Sequence, residues 1–493
     1  MQVSARACRT ALGFVALSLL STPALLWAHA RLLRSVPSAN ARLDQAPTSL
    51  SLWFSENPEL RFTTLRLLDS AGVAIRLGAV DHPRGDASGV TAAITQPLAA
   101  GRYTIVWRTA AADGHATSDR FSFVLTRSST PAASAPAASP SGDTATIPPA
   151  QSTLPKAAAE ANELFGPRAL GERATAAARW AELVAILTVI GAITFRGYVL
   201  PRTGWPAERV SDATDRSRRL ARAALVLVVL CFATRLAAAA SLMPDARMLD
   251  RRAMMDVATG TQWGHGWLVG VAGIVVALIG LSIPAKATAG WLVAAIGALA
   301  LALSAPLTGH AIASAHYRWT AVTSDFIHLA AAGAWVGGLV AVVLAGLPAL
   351  RRASEADRAS GGRRLVRTYH GVATVGVAVV LLTGFVNAWL RLGVVSDLWT
   401  TAYGQVLVVK LLLFVGLAWF GYRHWRTVVD TDWIDSSAAR FRRTASMELG
   451  VGVLVLAATA VLLSASTPAD SRGASNTVMT HASTASSPTH HAP

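Results

Sequence analysis

Cysteine is nearly absent from this chain. Its 493 residues include two, Cys8 and Cys231. The first lies in an apolar leader and the second inside a later apolar run. The mature protein therefore keeps one thiol, which excludes an internal disulfide and a thiolate metal cluster. Charge is also scarce, at 15% of residues against 53% hydrophobic. Soluble domains carry about a quarter charged residues, so a wholly soluble protein is excluded. Acidic residues are the rarer sign, 28 against 44 Lys and Arg, for a net charge of +16. That balance can serve nucleic acid, but the arginines gather in short clusters between apolar runs, the pattern of loops on the cytoplasmic side of a membrane. No nucleic-acid partner is expected. No G-x-x-x-x-G-K-[ST] phosphate loop occurs between the apolar runs, so ATP-driven work is not indicated. Methionine is missing altogether from His29 to Gly166.

What is present falls into five stretches. Residues 1–28 read as a secretory signal, with Arg6 and Arg9 before an apolar stretch and Pro23 before a small-residue exit. The cleavage point is ambiguous. Ala28-His29-Ala30 is the better A-x-A motif and would remove His29, whereas a cut after Ala28 leaves His29 first. Residues 29–126 alternate with period two in "SLSLWFSE", "YTIVWRT" and "RFSFVL", with Gly, Pro and Asp between them. This predicts a small all-β barrel or sandwich. Residues 127–172 are rich in Ser, Ala and Pro and read as a linker. Residues 173–466 hold apolar runs long enough to cross a bilayer, near 174–195, 222–241, 263–283, 288–306, 321–348, 370–390, 404–421 and 445–466. The expectation is an all-α bundle of about eight transmembrane helices. Residues 467–493 are a polar, disordered-type tail containing His481, His490 and His491.

Orientation follows from charge. With the β domain outside, the loops expected inside carry 19 Lys and Arg, and the outer loops and tail carry 6. The positive-inside rule thus agrees with the signal. It places the chain in a bacterial inner membrane as a multi-pass protein, with the N-terminal domain and the tail in the periplasm.

In "AADGHATSDRFSF", Asp113 and His115 share a face if the segment is extended. A histidine at a free N-terminus chelates through amine and ring. His29 together with Asp113 and His115 makes a tetragonal N,O set that suits Cu(II). The competing reading is a plain Asp-Gly hairpin turn. His82 reads as a solvated loop residue. Within the apolar runs, Arg179 and Glu182 stand i, i+3 and can neutralise each other. Lys410 and Glu448 are candidates to pair between helices. In "LTGHAIASAHYRWTAVTSDFIHLAAAGAWVGGL", His310 and His316 fall on an outer loop. Asp325 and His328 share a helical face that Trp335 continues. These three histidines and one aspartate form a candidate copper entry site, although His328 alone also suits a satisfied core position. Met243, Met248, Met254 and Met255 in "SLMPDARMLDRRAMMD" are candidates for Cu(I), which favours thioether. They also suit an amphipathic interfacial segment.

Residues 29–125 resemble the CopC family of periplasmic copper-binding proteins. The resemblance rests on "HARLLRSVPSANARL", "LSLWFSENPE" and "GRYTIVWRTAAADGHATSDRFSFVL". It implies a Greek-key, Ig-like β domain whose mature chain starts at His29, with His29, Asp113 and His115 as Cu(II) ligands. The Met-rich Cu(I) loop of some members is missing here. Residues 173–466 resemble the membrane protein CopD in "LTGHAIA", "DFIHLAAAGAWVGGL", "TGFVNAWLRL", "TAYGQVLVVKLLLF" and "FRRTASMELGVGVLVL". The resemblance implies copper import across the inner membrane, copper homeostasis and resistance, and exchange with other periplasmic copper carriers, without enzyme activity. Two alternatives stay open. One is a redox protein with b-type haem held by His328, His370 and His310. The other is a copper-sequestering anchor without flux. With Asp113 and His115 lacking any other amine-plus-imidazole partner in the domain, cleavage is expected after Ala28.

Overall fold

The computed structural model describes residues 32–110, 116–127, 167–243, 249–284, 287–313, 317–351, 353–392, 394–430 and 435–462. The first two ranges form a two-sheet β sandwich. One sheet has the order β1 (Leu32–Val36), β3 (Ser49–Phe54), β6 (Gly89–Ala93). The other runs β2 (Arg42–Leu43), β8 (Ala116–Leu125), β7 (Gly101–Ala110), β4 (Thr64–Leu68), β5 (Ala74–Ile75). Pairing is antiparallel except for β2, which lies parallel to β8. The period-two pattern in the sequence is the cause. Leu50, Leu52 and Phe54 of β3 point inward against Tyr103, Ile105 and Trp107 of β7, while the residues between them stay at the surface. Phe54 meets the Trp107 ring edge-on, with centroids 5.0 Å apart.

The remaining ranges are helical. The long helices are α1 (Pro167–Thr194), α2 (Ala207–Ala240), α4 (Gln262–Ser282), α5 (Thr288–Leu307), α7 (Arg318–Ala332), α8 (Glu355–Arg391), α10 (Ala402–Asp430) and α11 (Asp435–Leu462). Short helices α3 (Arg251–Gly260), α6 (His310–Ala313) and α9 (Asp397–Thr400) join them at one end. Among the described residues seven helices are long and apolar enough to cross a membrane, and α11 adds the shorter apolar stretch Met447–Thr459. The expectation of about eight helices thus stands as an approximate count.

Helix α7 continues to Ala349 through two π-helical turns, Gly333–Gly337 and Val342–Gly346. The first turn presses against α1 at a glycine pair. A Cβ on Gly337 would land on the Leu187 carbonyl, and one on Gly191 would land on the Gly337 backbone. Small residues of this kind let helix backbones approach where there is no water to drive association. Two apolar clusters fill the bundle. One surrounds Phe195, Trp335, Leu339 and Leu365, and the other surrounds Ile186, Leu225, Phe232 and Leu301.

Candidate metal centres

His29, Asp113 and His115, the expected Cu(II) ligands, lie outside the described residues. Their flanks are described and converge at one end of the sandwich. Leu32 pairs with Phe54. Ala110 pairs with Ala116 across the β7–β8 hairpin, and its carbonyl accepts the Glu59 amide at 2.9 Å. Strand pairing therefore ties the segment after His29 and both ends of the 111–115 loop to the same rim. His82, set aside as a ligand, has its Nδ1 2.7 Å from the Gly89 carbonyl oxygen.

The same rim sits on the bundle. Phe62 and Ala110 share an apolar cluster with Ala239, Ala240, Ala253, Val257 and Trp263 from α2, α3 and α4, and Met243 and Met254 pack against it. Glu59 Oε1 accepts the Gln262 amide at 2.9 Å. The candidate Cu(I) methionines are thus split. Met243 and Met254 pack against the cluster that contains Ala110. Met255 is exposed on α3, and Met248 lies outside the described residues. Burial raises the Glu59 carboxyl above the ordinary range, opposed by the Gln262 amide and by His265, Arg61 and His82. Neither Glu59 nor Phe62 stands out in the sequence, because their partners lie about two hundred positions away.

Of the expected membrane cluster, His310 opens α6 and His316 lies outside the described residues. Asp325 and His328 lie together in the N-terminal half of α7, which runs on to Ala349, but each is committed to α8. Asp325 Oδ2 is 2.5 Å from Arg391 Nη2, in a half-buried ion pair. His328 Nδ1 is 2.9 Å from Thr383 Oγ1. The Thr383 hydroxyl donates to the Val379 carbonyl at 2.6 Å, so its oxygen accepts from Nδ1–H. In that arrangement the lone pair lies on His328 Nε2, the tautomer a metal ligand needs. Asn387, one turn from both Thr383 and Arg391 on α8, has a buried Oδ1 with no hydrogen-bond partner among the described residues. The i, i+4, i+8 stripe of Thr383, Asn387 and Arg391 inside "TGFVNAWLRL" was the available signal for this seam. Among the described residues no group of three His, Cys, Asp or Glu is poised to hold a metal.

Three sequence pairings change. Glu182 is held by Arg235 of α2, with Nη1 2.7 and 2.9 Å from its two oxygens, while Arg179 donates to the Thr308 carbonyl at 3.3 Å. Lys410 does not pair with Glu448. Gly421 of α10 faces Glu448, and Lys410 lies eleven residues away, about 16 Å along the helix. Its electrostatic neighbours are Arg391 and Asp325. His328 and His370 cannot share one haem iron. His328 meets α8 at Thr383, thirteen residues beyond His370 and thus about 20 Å along the axis. Trp335 falls in the first π turn and packs on Phe414, with centroids 5.8 Å apart.

Three family models match the chain. They are the CopC domain at residues 32–126, the copper resistance protein D-like N-terminal domain at 170–317, and copper resistance protein D at 363–462. The copper transport protein CutJ of Bacillus subtilis (strain 168) is 24% identical over 466 residues, covering 92% of this chain and 77% of CutJ. Protein YobA of Escherichia coli (strain K12) is 32% identical over 123 residues, 25% of this chain and 98% of YobA. Copper resistance protein D of Pseudomonas syringae pv. tomato is 31% identical over 212 residues, 40% of this chain and 66% of that one.

Proposed function

We propose that this chain, which belongs to the copper resistance family and joins a CopC domain to CopD-type membrane segments, captures copper in the periplasm and passes it inward across the inner membrane. The observation that carries this reading is the seating of the β domain. The rim bearing the 111–115 loop rests on α2, α3 and α4, next to Met243 and Met254. In this reading His29, Asp113 and His115 bind Cu(II), which suits an N,O ligand set. His328 serves copper on the membrane side, and the methionine thioethers suit copper only after a one-electron donor outside this chain has reduced Cu(II) to Cu(I). Resident copper at the β domain supplies no chemistry beyond binding, so no catalytic role is assigned to the chain.

His328 is the membrane residue whose geometry fits a ligand best. Thr383 Oγ1 holds its ring at Nδ1, so Nε2 is the nitrogen assigned to copper in this reading. Asp325 is tied to Arg391, so its part is to orient that arginine unless the pair opens. The separation of His328 from His370 disfavours a haem held between them.

The test is copper accumulation in proteoliposomes holding the full mature chain with its β domain outward. Uptake well above protein-free vesicles, and lost in His328→Ala, supports transport. Accumulation equal to empty vesicles, with copper still bound by the protein, would instead support a sequestering anchor. Intact mass of the mature chain gives the cleavage point. A chain beginning at Arg31 removes the N-terminal chelate and with it the Cu(II) site as drawn.

A further inference from the structure

The linker alone would leave the β domain free to roam, yet three separate contacts hold it. First, helix α4 begins with amide groups that have no partner inside the helix. Thr261 Oγ1 accepts one, from Gly264 at 2.9 Å, and the β domain supplies an acceptor for another, Glu59 Oε1 on Gln262. Second, the Arg61 guanidinium lies flat against Gly260, where a Cβ would come within 2.6 Å of its central carbon. Third, Phe62 is 1% exposed, and its apolar neighbours include residues of α2, α3 and α4 rather than the sandwich core. The Glu59 amide on the Ala110 carbonyl links this patch to the end of β7, so a seat that holds Glu59 also holds Ala110.

We propose that the CopC-type domain works as a docked cap on the outer ends of α2, α3 and α4. Its seat of Glu59, Arg61 and Phe62, rather than the reach of the linker, fixes the point at which copper is delivered. That point is the Met243–Met254 side of the bundle. The docking part rests on the contacts alone. The delivery part rests on the transport reading above. A merely tethered donor samples its target at an effective concentration set by the linker, whereas a seated donor holds one geometry.

The experiment uses the full chain with a protease site inserted in the 127–172 linker. Cys231 is buried, so an introduced cysteine pair reports cleanly. Arg61→Cys with Gly260→Cys is expected to cross-link in the membrane and to keep the β domain attached after linker cleavage. Without cross-linking, wild type is expected to retain the domain after cleavage. Gly260→Trp, which alters only the bundle side, is expected to release it, as is Phe62→Asp. No cross-link, together with full release of the wild-type domain, overturns the docking. If Gly260→Trp releases the domain but copper uptake stays at the wild-type level, the delivery claim is overturned. If wild type takes up no copper although the cross-link forms, the transport reading fails while the docking stands.

Discussion

Glu182→Gln is the substitution whose consequence the bundle constrains most tightly. Glu182 is 2% exposed and Arg235 is 4% exposed. Arg235 Nη1 reaches both carboxylate oxygens at 2.7 and 2.9 Å, and its Nη2 reaches Thr308 Oγ1 at 3.2 Å. Arg179, also buried, stands one turn before Glu182 and donates to the Thr308 carbonyl. One carboxylate therefore lies among two guanidinium groups. Gln keeps the shape and an acceptor, so the change removes little beyond the charge. At an effective dielectric near 20, opposite charges about 4 Å apart attract by about 4 kcal/mol. Breaking a buried pair costs about 3–5 kcal/mol. Glu182→Gln is therefore expected to destabilise the membrane region by about 3–5 kcal/mol. Arg235→Met alone should cost less, because Arg179 is placed to take over the carboxylate. Adding Arg235→Met to Glu182→Gln should recover stability by removing a buried cation. Denaturing-detergent titration in mixed micelles, followed by tryptophan fluorescence, reads this, since Arg235 lies 5.5 Å from the Trp263 ring. The reasoning is refuted if Glu182→Gln unfolds within about 1 kcal/mol of wild type, or if the double substitution is the least stable of the three.

Other expectations follow from close approaches and from tautomer and proton balance. Gly337→Ala should separate α1 from α7 at the Leu187 carbonyl, costing at least the 1–3 kcal/mol typical of overpacking, seen as a lowered unfolding midpoint in the same titration. Thr383→Val removes the acceptor that orients His328. Loss of such outer contacts costs about 10–100-fold in metal affinity, so the concentration for half-maximal uptake should rise by that order while His328→Ala abolishes uptake. Docking should depend on pH through Glu59. Burial in the seat raises its carboxyl, against the Gln262 amide and the nearby His265, Arg61 and His82. The docked state thus holds the proton more tightly. That contribution is complete below 4.5 and is lost as pH rises through the raised value. Retention of the cleaved β domain should weaken over that interval in wild type and stay level in Glu59→Gln, whose amide oxygen still accepts from Gln262. Equal pH dependence in both proteins would remove Glu59 from the account.

Much of the architecture is local and was readable for that reason. Alternation in 49–56 and 103–109 makes strands with one buried face, because successive side chains of an extended chain point in opposite directions. Apolar runs of about twenty residues make helices of bilayer length, because their backbone groups must bond within the segment. Asp325 and His328 share a face because they are three apart. The pairings of buried charge were not readable. Arg179 stands three residues from Glu182, yet the carboxylate is held by Arg235, 53 residues away. Lys410 and Glu448 are suitable in type, and helix register alone keeps them apart.

The sequence by itself determined the two-part plan, and it set the expectations of orientation from charge and of His29, Asp113 and His115 as copper ligands. Each depends on residue type, on spacing within one element, or on charge summed over loops. Only the tertiary structure decided that Glu59 tops α4, that Phe62 leaves the sandwich core for the bundle, that Thr383 holds the His328 ring at Nδ1, and that His328 and His370 are too far apart for one iron. Those facts depend on which helix lies beside which and at what register. Neither is encoded in a short stretch of chain, since both follow from how apolar faces and small residues close over the whole bundle.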